Sequence, residues 1–93
     1  MAILHIIAKQ LDTEMLAKLL DRSHTNDAYV FMDDGVYVQL GNSLQAFASR
    51  DVFLLADHVD ERGLKAMSSD RVVRINMSGL VQLTAFYASS MSW

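Results

Sequence analysis

The sequence predicts an α/β fold built as a single domain over residues 1–93: a mainly parallel sheet with helices on both faces, in a Rossmann-like or flavodoxin-like three-layer arrangement. Three observations carry this expectation. Strand-like and helix-like stretches alternate four times, with loops of ordinary length between them. The strand-like stretches are continuous apolar runs, as in parallel strands covered on both faces, and lack the in-out alternation of a half-solvated sheet. Finally, 52% hydrophobic against 20% charged residues, with no proline, describes a chain that packs a core and seldom interrupts its elements.

The elements follow in order. Ile3 to Ala8 is a short apolar run and reads as the first strand. Asp12 then caps a helix in which Leu11, Met15, Leu16, Leu19 and Leu20 fall at helical spacing, and the polar run Asp21 to Asp27 ends it. Ala28 to Met32 is the second strand. Asp34 or Gly35 opens a short helix through Val36 and Leu40; Gly41 breaks it, and Asn42 or Ser43 restarts it through Ala48. Val52 to Ala56 is the third strand, after which Asp57 caps a brief helix closed by Gly63. Arg71 to Ile75 is the fourth strand, and a last helix runs into the tail.

That tail has an unusual charge distribution. No charged residue follows Arg74, so the nineteen positions from Ile75 to Trp93 are all uncharged. A membrane span fails on composition, because Asn76, Ser78, Gln82, Thr84, Ser89, Ser90 and Ser92 dilute the run and Gly79 divides it. What remains is a helix with Met77, Leu80, Val81, Thr84, Ala88 and Met91 on one stripe and Leu83, Phe86 and Tyr87 beyond it. A helix apolar nearly all round is normally buried on more than one side. One side is expected on the domain's own sheet and the other on a neighbouring subunit, in keeping with so much apolar content in so short a chain. Trp93 at the last position is expected to dock on its own subunit or on a neighbour.

Composition also excludes chemistry. With no cysteine, the chain forms no persulfide, thioester or catalytic thiolate, and holds no disulfide framework or Cys-ligated zinc. A net charge of −3 with scattered Lys and Arg argues against direct nucleic-acid binding. The segment Met1 to Ile7 has no basic stretch or small-residue cleavage site, so a cytoplasmic protein is expected, without membrane attachment. Glycine-rich phosphate loops and a Gly-x-Ser-x-Gly elbow are absent. Of the histidines, His5 reads as a core residue, His24 as a solvated loop residue and His58 as a helix-start residue. The methionines Met1, Met15, Met32, Met67, Met77 and Met91 read mostly as core fillers. Carboxylates after the second and third strands leave two readings. Asp33, Asp34, Asp57 and His58 could hold a divalent cation in a small metal- or ligand-binding protein. The preferred reading makes Asp34 and Asp57 helix N-caps, each worth about 1 kcal/mol.

Several segments together resemble the TusB/DsrH family of sulfur-relay subunits. Leu4-His5 resembles the family's opening Leu-His, and Met32-Asp33-Asp34-Gly35-Val36-Tyr37 its Gln-Asp-Gly-Val-Tyr turn. Val59-Asp60-Glu61-Arg62-Gly63-Leu64 resembles its Val-x-x-Arg-Gly-Leu segment. Leu80-Val81-Gln82-Leu83-Thr84 and the closing Met91-Ser92-Trp93 are similar to its last helix and Met-Ala-Trp ending. The resemblance implies assembly with TusC/DsrF-like and TusD/DsrE-like subunits into a heterohexamer with two copies of each; the isolated chain has a homo-oligomer as its alternative. It further implies that sulfur passes from a TusA-like donor to a cysteine of the TusD-like subunit, and through a TusE-like carrier to the enzyme that makes 2-thiouridine at the tRNA wobble position. Dissimilatory sulfur oxidation is the alternative pathway. Since the family's variable cysteine is absent here, the resemblance makes this chain a noncatalytic subunit with no cofactor, metal or catalytic residue of its own. Its expected partner surfaces are Asp34, Gly35, Val36 and Tyr37 in the turn, and Phe86, Tyr87, Met91 and Trp93 in the tail. Ala8 and Tyr87 occupy positions where the family often has histidine, so no imidazole role carries over to them.

Overall fold

A computed structural model describes residues 2–47, 49–64 and 72–93 of the chain. The expectations for Met1, Ala48, Met67 and Arg71 lie outside the described residues. Five strands, β1 (Ile3–Ile7), β2 (Ala28–Phe31), β3 (Asp51–Leu55), β4 (Val72–Ile75) and β5 (Ser89–Ser92), form one sheet in the order β4-β3-β2-β1-β5. Every neighbouring pair is parallel. The connections hold the helices α1 (Thr13–Arg22), α2 (Ala56–Glu61) and α3 (Met77–Phe86), and two 3-10 helices, Asp33–Gln39 and Ser43–Phe47, separate β2 from β3.

Handedness explains which face each helix covers. From β1 to β4 the chain steps in one direction across the sheet, and right-handed crossovers put all three connections on one face. The connection from β4 to β5 runs back across the whole sheet, so the same rule places α3 on the opposite face. Side-chain alternation along the strands then divides the core in two. Ile7, Tyr29, Phe31, Val52 and Leu54 pack with Leu19 of α1, Val36, Val38 and Phe47 of the 3-10 helices and Val59 of α2. Leu4, Ala28, Val30 and Leu55 point the other way and pack with Leu80 of α3.

Local chemistry sets the helix ends. Asp12 caps α1 as its sequence position suggests, its Oδ1 accepting the Met15 N–H at 2.7 Å. Asn76 does the same for α3, accepting the Gly79 N–H at 2.8 Å. Gly63, at φ +66°, closes α2 in the left-handed conformation that glycine adopts without a Cβ clash.

The tail departs from its sequence reading. α3 stops at Phe86, and Ser89–Ser92 is a fifth strand alongside β1, with Met91 opposite His5 in the register. Ala88 and Met91 therefore do not extend the helical stripe of Met77, Val81 and Thr84. The run Ser-Ser-Met-Ser carries little β-propensity of its own; its strand conformation comes from the open edge of β1. The methionines differ from expectation too. Met32 is half-buried and packs against the α3-side core, but Met15 is half-buried outside both core clusters and Met77 and Met91 are exposed, so of these four Met32 alone lines the core.

Candidate functional site

In an open parallel sheet, ligand and partner groups gather beyond the carboxyl ends of the strands. There β2 leads from Met32, whose N–H donates to the Ile7 carbonyl at 3.0 Å, into Asp33 at φ +48°, a left-handed conformation unusual outside glycine. Gly35 follows against the end of β1. A Cβ at this position would lie 2.2 Å from the Ile7 carbonyl oxygen, so only glycine lets the turn pass this close.

The N-terminus of the first 3-10 helix has an unexpected partner. Its cap residue, Met32, offers no side-chain bond; instead the Asp33 N–H donates to Nδ1 of His58 at 2.7 Å, across from α2. Nδ1 must then carry a lone pair, which puts the imidazole proton on Nε2. The Asp33 carboxylate lies 3.4 Å from the same Nδ1. Asp34 turns to Arg62, with its Oδ1 at 3.1 Å from both Nε and Nη2, and Arg62 Nη1 donates to the His58 carbonyl at 3.2 Å.

The cap readings of Asp34 and Asp57 are thereby corrected. Asp34 is spent on a guanidinium, and α2 starts after Leu55 with no side-chain cap, leaving Asp57 in its first turn. A divalent-cation site is not assembled either. Of its four proposed ligands, Asp33 and His58 adjoin while Asp34 is paired elsewhere, and the described residues hold no group of three or more His, Cys, Asp and Glu suited to a metal ion.

A second polar cluster lies inside the sheet on the α1 side. His5 and Asp27 are both fully buried, with Nε2 of His5 2.8 Å from Oδ2 of Asp27. Trp93 Nε1–H donates to Nδ1 of His5 at 3.0 Å, and the Trp93 backbone N–H donates to the Ile6 carbonyl at 2.8 Å. Because the indole can only donate, Nδ1 accepts and Nε2–H donates to the carboxylate. His5 also stacks on Tyr29, with ring centroids 5.1 Å apart. Burial pushes the Asp27 pKa up, but the N–H groups of His24 and Ile3 and the His5 ring outweigh it and hold the carboxyl below its ordinary value. The order of residues resembles an acid-base relay, yet an indole N–H stands where a nucleophile would be. The cluster fastens β5 to β1.

The expected partner residues fall at two separated places. Asp34 to Tyr37 stand at the carboxyl end of β2: Asp34 is exposed, Gly35 and Val36 are fully buried, and Tyr37 is half-buried. Phe86 and Tyr87 precede β5 at the other end of the parallel sheet and meet edge to face, centroids 5.1 Å apart. Phe86 is 81% exposed, whereas Tyr87 packs against the α3-side core. Burial raises the Tyr87 pKa, and the charges of Asp51 and Asp27 raise it further, so its phenol stays neutral. Met91 is exposed, and Trp93 packs against its own chain's core. Around α3, Val73, Met77 and Val81 add further exposed apolar surface. Sequence reasoning missed the pairings His58 to Asp33 and His5 to Asp27. The anomalous terminal Trp93 and the Leu4-His5 opening were signals for the second, but nothing marked Asp27.

Similarity to known proteins is consistent along the chain. The family described as "DsrH like protein" matches residues 10–90. "Protein TusB" of Salmonella typhimurium strain LT2 is 34% identical over 90 residues, covering 92% of each chain. "Protein TusB" of Salmonella enteritidis PT4 matches to the same extent. In three dimensions the chain resembles the ychN protein from E. coli, whose crystal structure superposes with a TM-score of 0.73 over 100% of both chains; at 18% identity this is a likeness of fold alone.

Proposed function

The chain belongs to the DsrH-like family, and from that premise we propose that it is a TusB-type subunit of a sulfur-relay complex serving 2-thiolation of the tRNA wobble uridine. One observation carries its role there: the chain resembles TusB along 92% of its length and contains no cysteine. A persulfide needs a thiol, so the sulfur rides on other subunits and this one supports them. The partners are TusC/DsrF-like and TusD/DsrE-like chains, two copies of each subunit in the assembly, with the relay cysteine on the TusD-like chain.

Residues 1–93 act as one DsrH/TusB-like domain in this complex, in the cytoplasm. No helix among the described residues is long and apolar enough to cross a membrane. The exposed apolar side chains of Met77, Val81 and Phe86 on α3, and that of Met91 on β5, supply the tail surface for partners. At the other end of the sheet, Asp34 and Tyr37 present the turn, while Gly35 and Val36 act by holding its shape from inside.

Co-expression with TusC- and TusD-like subunits tests the reading. Size-exclusion chromatography with mass analysis should give one stable complex containing this chain, and tRNA from cells lacking it should lose 2-thiouridine. A chain that elutes alone, or thiolation that persists without it, overturns the proposal.

A further inference from the structure

The imidazole of His58 caps a 3-10 helix that belongs to another element, and it can do so in only one protonation state. We propose that the Asp33–His58 contact is a proton-operated switch of the Asp33–Tyr37 turn. The inference rests on the geometry of the chain itself and stands whether or not the sulfur-relay reading holds.

In the observed state Nδ1 accepts the Asp33 N–H at 2.7 Å, and the proton of the neutral ring sits on Nε2. A proton taken from solvent adds to Nδ1, the one ring nitrogen with a lone pair. Nδ1–H and the Asp33 N–H are then two donors facing each other at hydrogen-bond distance, and the cap is lost. An acceptor for the new N–H is already placed, because Asp33 Oδ1 lies 3.4 Å from Nδ1. Protonation therefore exchanges one bond for another within a single residue: the backbone amide of Asp33 leaves the ring and its carboxylate takes over.

The turn is built to respond to that exchange. Asp33 is the non-glycine residue with positive φ among the described residues, at +48°, and its amide bond to His58 is part of what holds it there. Two residues on, Gly35 is wedged against the Ile7 carbonyl, so the chain beyond Asp33 has little room and movement concentrates at Asp33 and Asp34. The side chain of His58 is partly open to solvent, which gives protons access.

Charged groups flank the ring in the sequence and across the turn. From the first 3-10 helix come Asp33 and Asp34, with the Tyr37 phenol beyond them; α2 itself carries Asp57, Asp60 and Glu61, and Arg62 follows it. Arg62 is engaged with Asp34 and with the His58 carbonyl, and Arg74 reaches in from β4 to the Ala56 carbonyl and Asp60. β3 contributes Asp51 only at its far end. Imidazole is the side chain that ordinarily changes charge between about pH 5 and 8, so that is the range to search.

The test is NMR on the uniformly ¹³C,¹⁵N-labelled full chain between about pH 8 and pH 5. At the upper end the His58 ring nitrogens should report the Nε2–H tautomer, and the Asp33 amide should be hydrogen-bonded and protected from exchange. As the ring takes up its proton, the Asp33 amide should lose both signatures along the same titration curve, with Asp34 moving in step and Gly35 moving least. In His58→Asn, whose side-chain oxygen takes the place of Nδ1 and accepts the amide without ionising, the Asp33 amide should stay fixed across the range. An Asp33 amide unmoved while the ring titrates, an Nδ1–H tautomer at the upper end, or an Asn variant that titrates like the parent would each overturn the switch. The first two readouts need no variant, so a poorly folded His58→Asn leaves the test intact.

Discussion

The two faces of the sheet are finished to different degrees. On one, three consecutive connections lay down α1, two 3-10 helices and α2, and the ring-bearing core of Tyr29, Phe31 and Phe47 is closed over. On the other, the single return connection supplies α3 alone, and of its side chains Leu80 is buried while Leu83 and Tyr87 are half-buried. Val73 remains 46% exposed, Met77 49% and Val81 61%. The imbalance follows from strand order: a sheet running β4-β3-β2-β1-β5 places three crossovers on one side and one on the other. The exposed apolar surface is thus not distributed evenly: Val73, Met77, Val81 and Phe86 gather around α3, on the face the chain's own topology leaves thin, while Leu40 and Met91 stand apart. A subunit of a complex can carry such a surface because a partner completes the burial.

The largest effect should come from the closed face. Phe31→Ala removes a fully buried ring that meets Phe47 edge to face at 5.7 Å, and should cost about 3–5 kcal/mol in urea or guanidinium unfolding. A cost below about 1 kcal/mol would mean that this face is loosely packed and the contrast between faces is false.

Next comes the fastening of β5, the strand through which α3 is returned to the sheet. Trp93→Phe keeps an aromatic ring and removes the N–H, leaving Nδ1 of the fully buried His5 without its donor. The expected cost is about 1–3 kcal/mol, with faster amide exchange confined to β5 and its β1 partner. Unchanged stability would show that backbone pairing alone holds the strand. The same cluster predicts a pH dependence. Asp27 has a folded-state pKa below its unfolded value, so its contribution is present above the ordinary carboxylate range and is lost as pH falls through the depressed value. In Asp27→Asn, stability should be lower near neutrality and should lose part of its decline in acid; an unchanged acid limb of the unfolding curve would remove Asp27 from the account.

How much of this was legible depended on sequence distance. The first four strands and α1 could be read because their signals are local: apolar runs, 3.6-residue spacing and Asp12 at a cap position. β5 could not, since Ser89 to Ser92 has no strand pattern and pairs with residues at the opposite end of the chain. His5 and Asp27 are 22 positions apart, and His5 and Trp93 are 88. Trp93 stood out at the chain's last position, but nothing local tied it to His5 and Asp27, and only the sheet order brings the three together. Asp34 misled for the converse reason: its local context suits a cap, but Arg62 lies across the turn and takes its carboxylate, while Asp57 misled because α2 already begins at Ala56. The exposed flank of α3 was the more accessible inference, because nineteen uncharged positions cannot all be buried by so short a chain.

The smallest effect on the isolated chain separates two aromatic residues that looked alike in the sequence. Phe86 and Trp93 both lie in the uncharged tail, but Trp93 packs on its own core while Phe86 leaves 81% of its surface in water. Phe86→Ala should therefore change unfolding stability by no more than about 0.5 kcal/mol. If α3 meets a partner, the same change should weaken co-purification with TusC- and TusD-like subunits far beyond what stability explains, because aromatic side chains with little to do in the free subunit are those that anchor interfaces. A lowered melting temperature with unchanged assembly would reverse the assignment, placing Phe86 in the chain's own fold and leaving Met77 and Val81 to carry the exposed face.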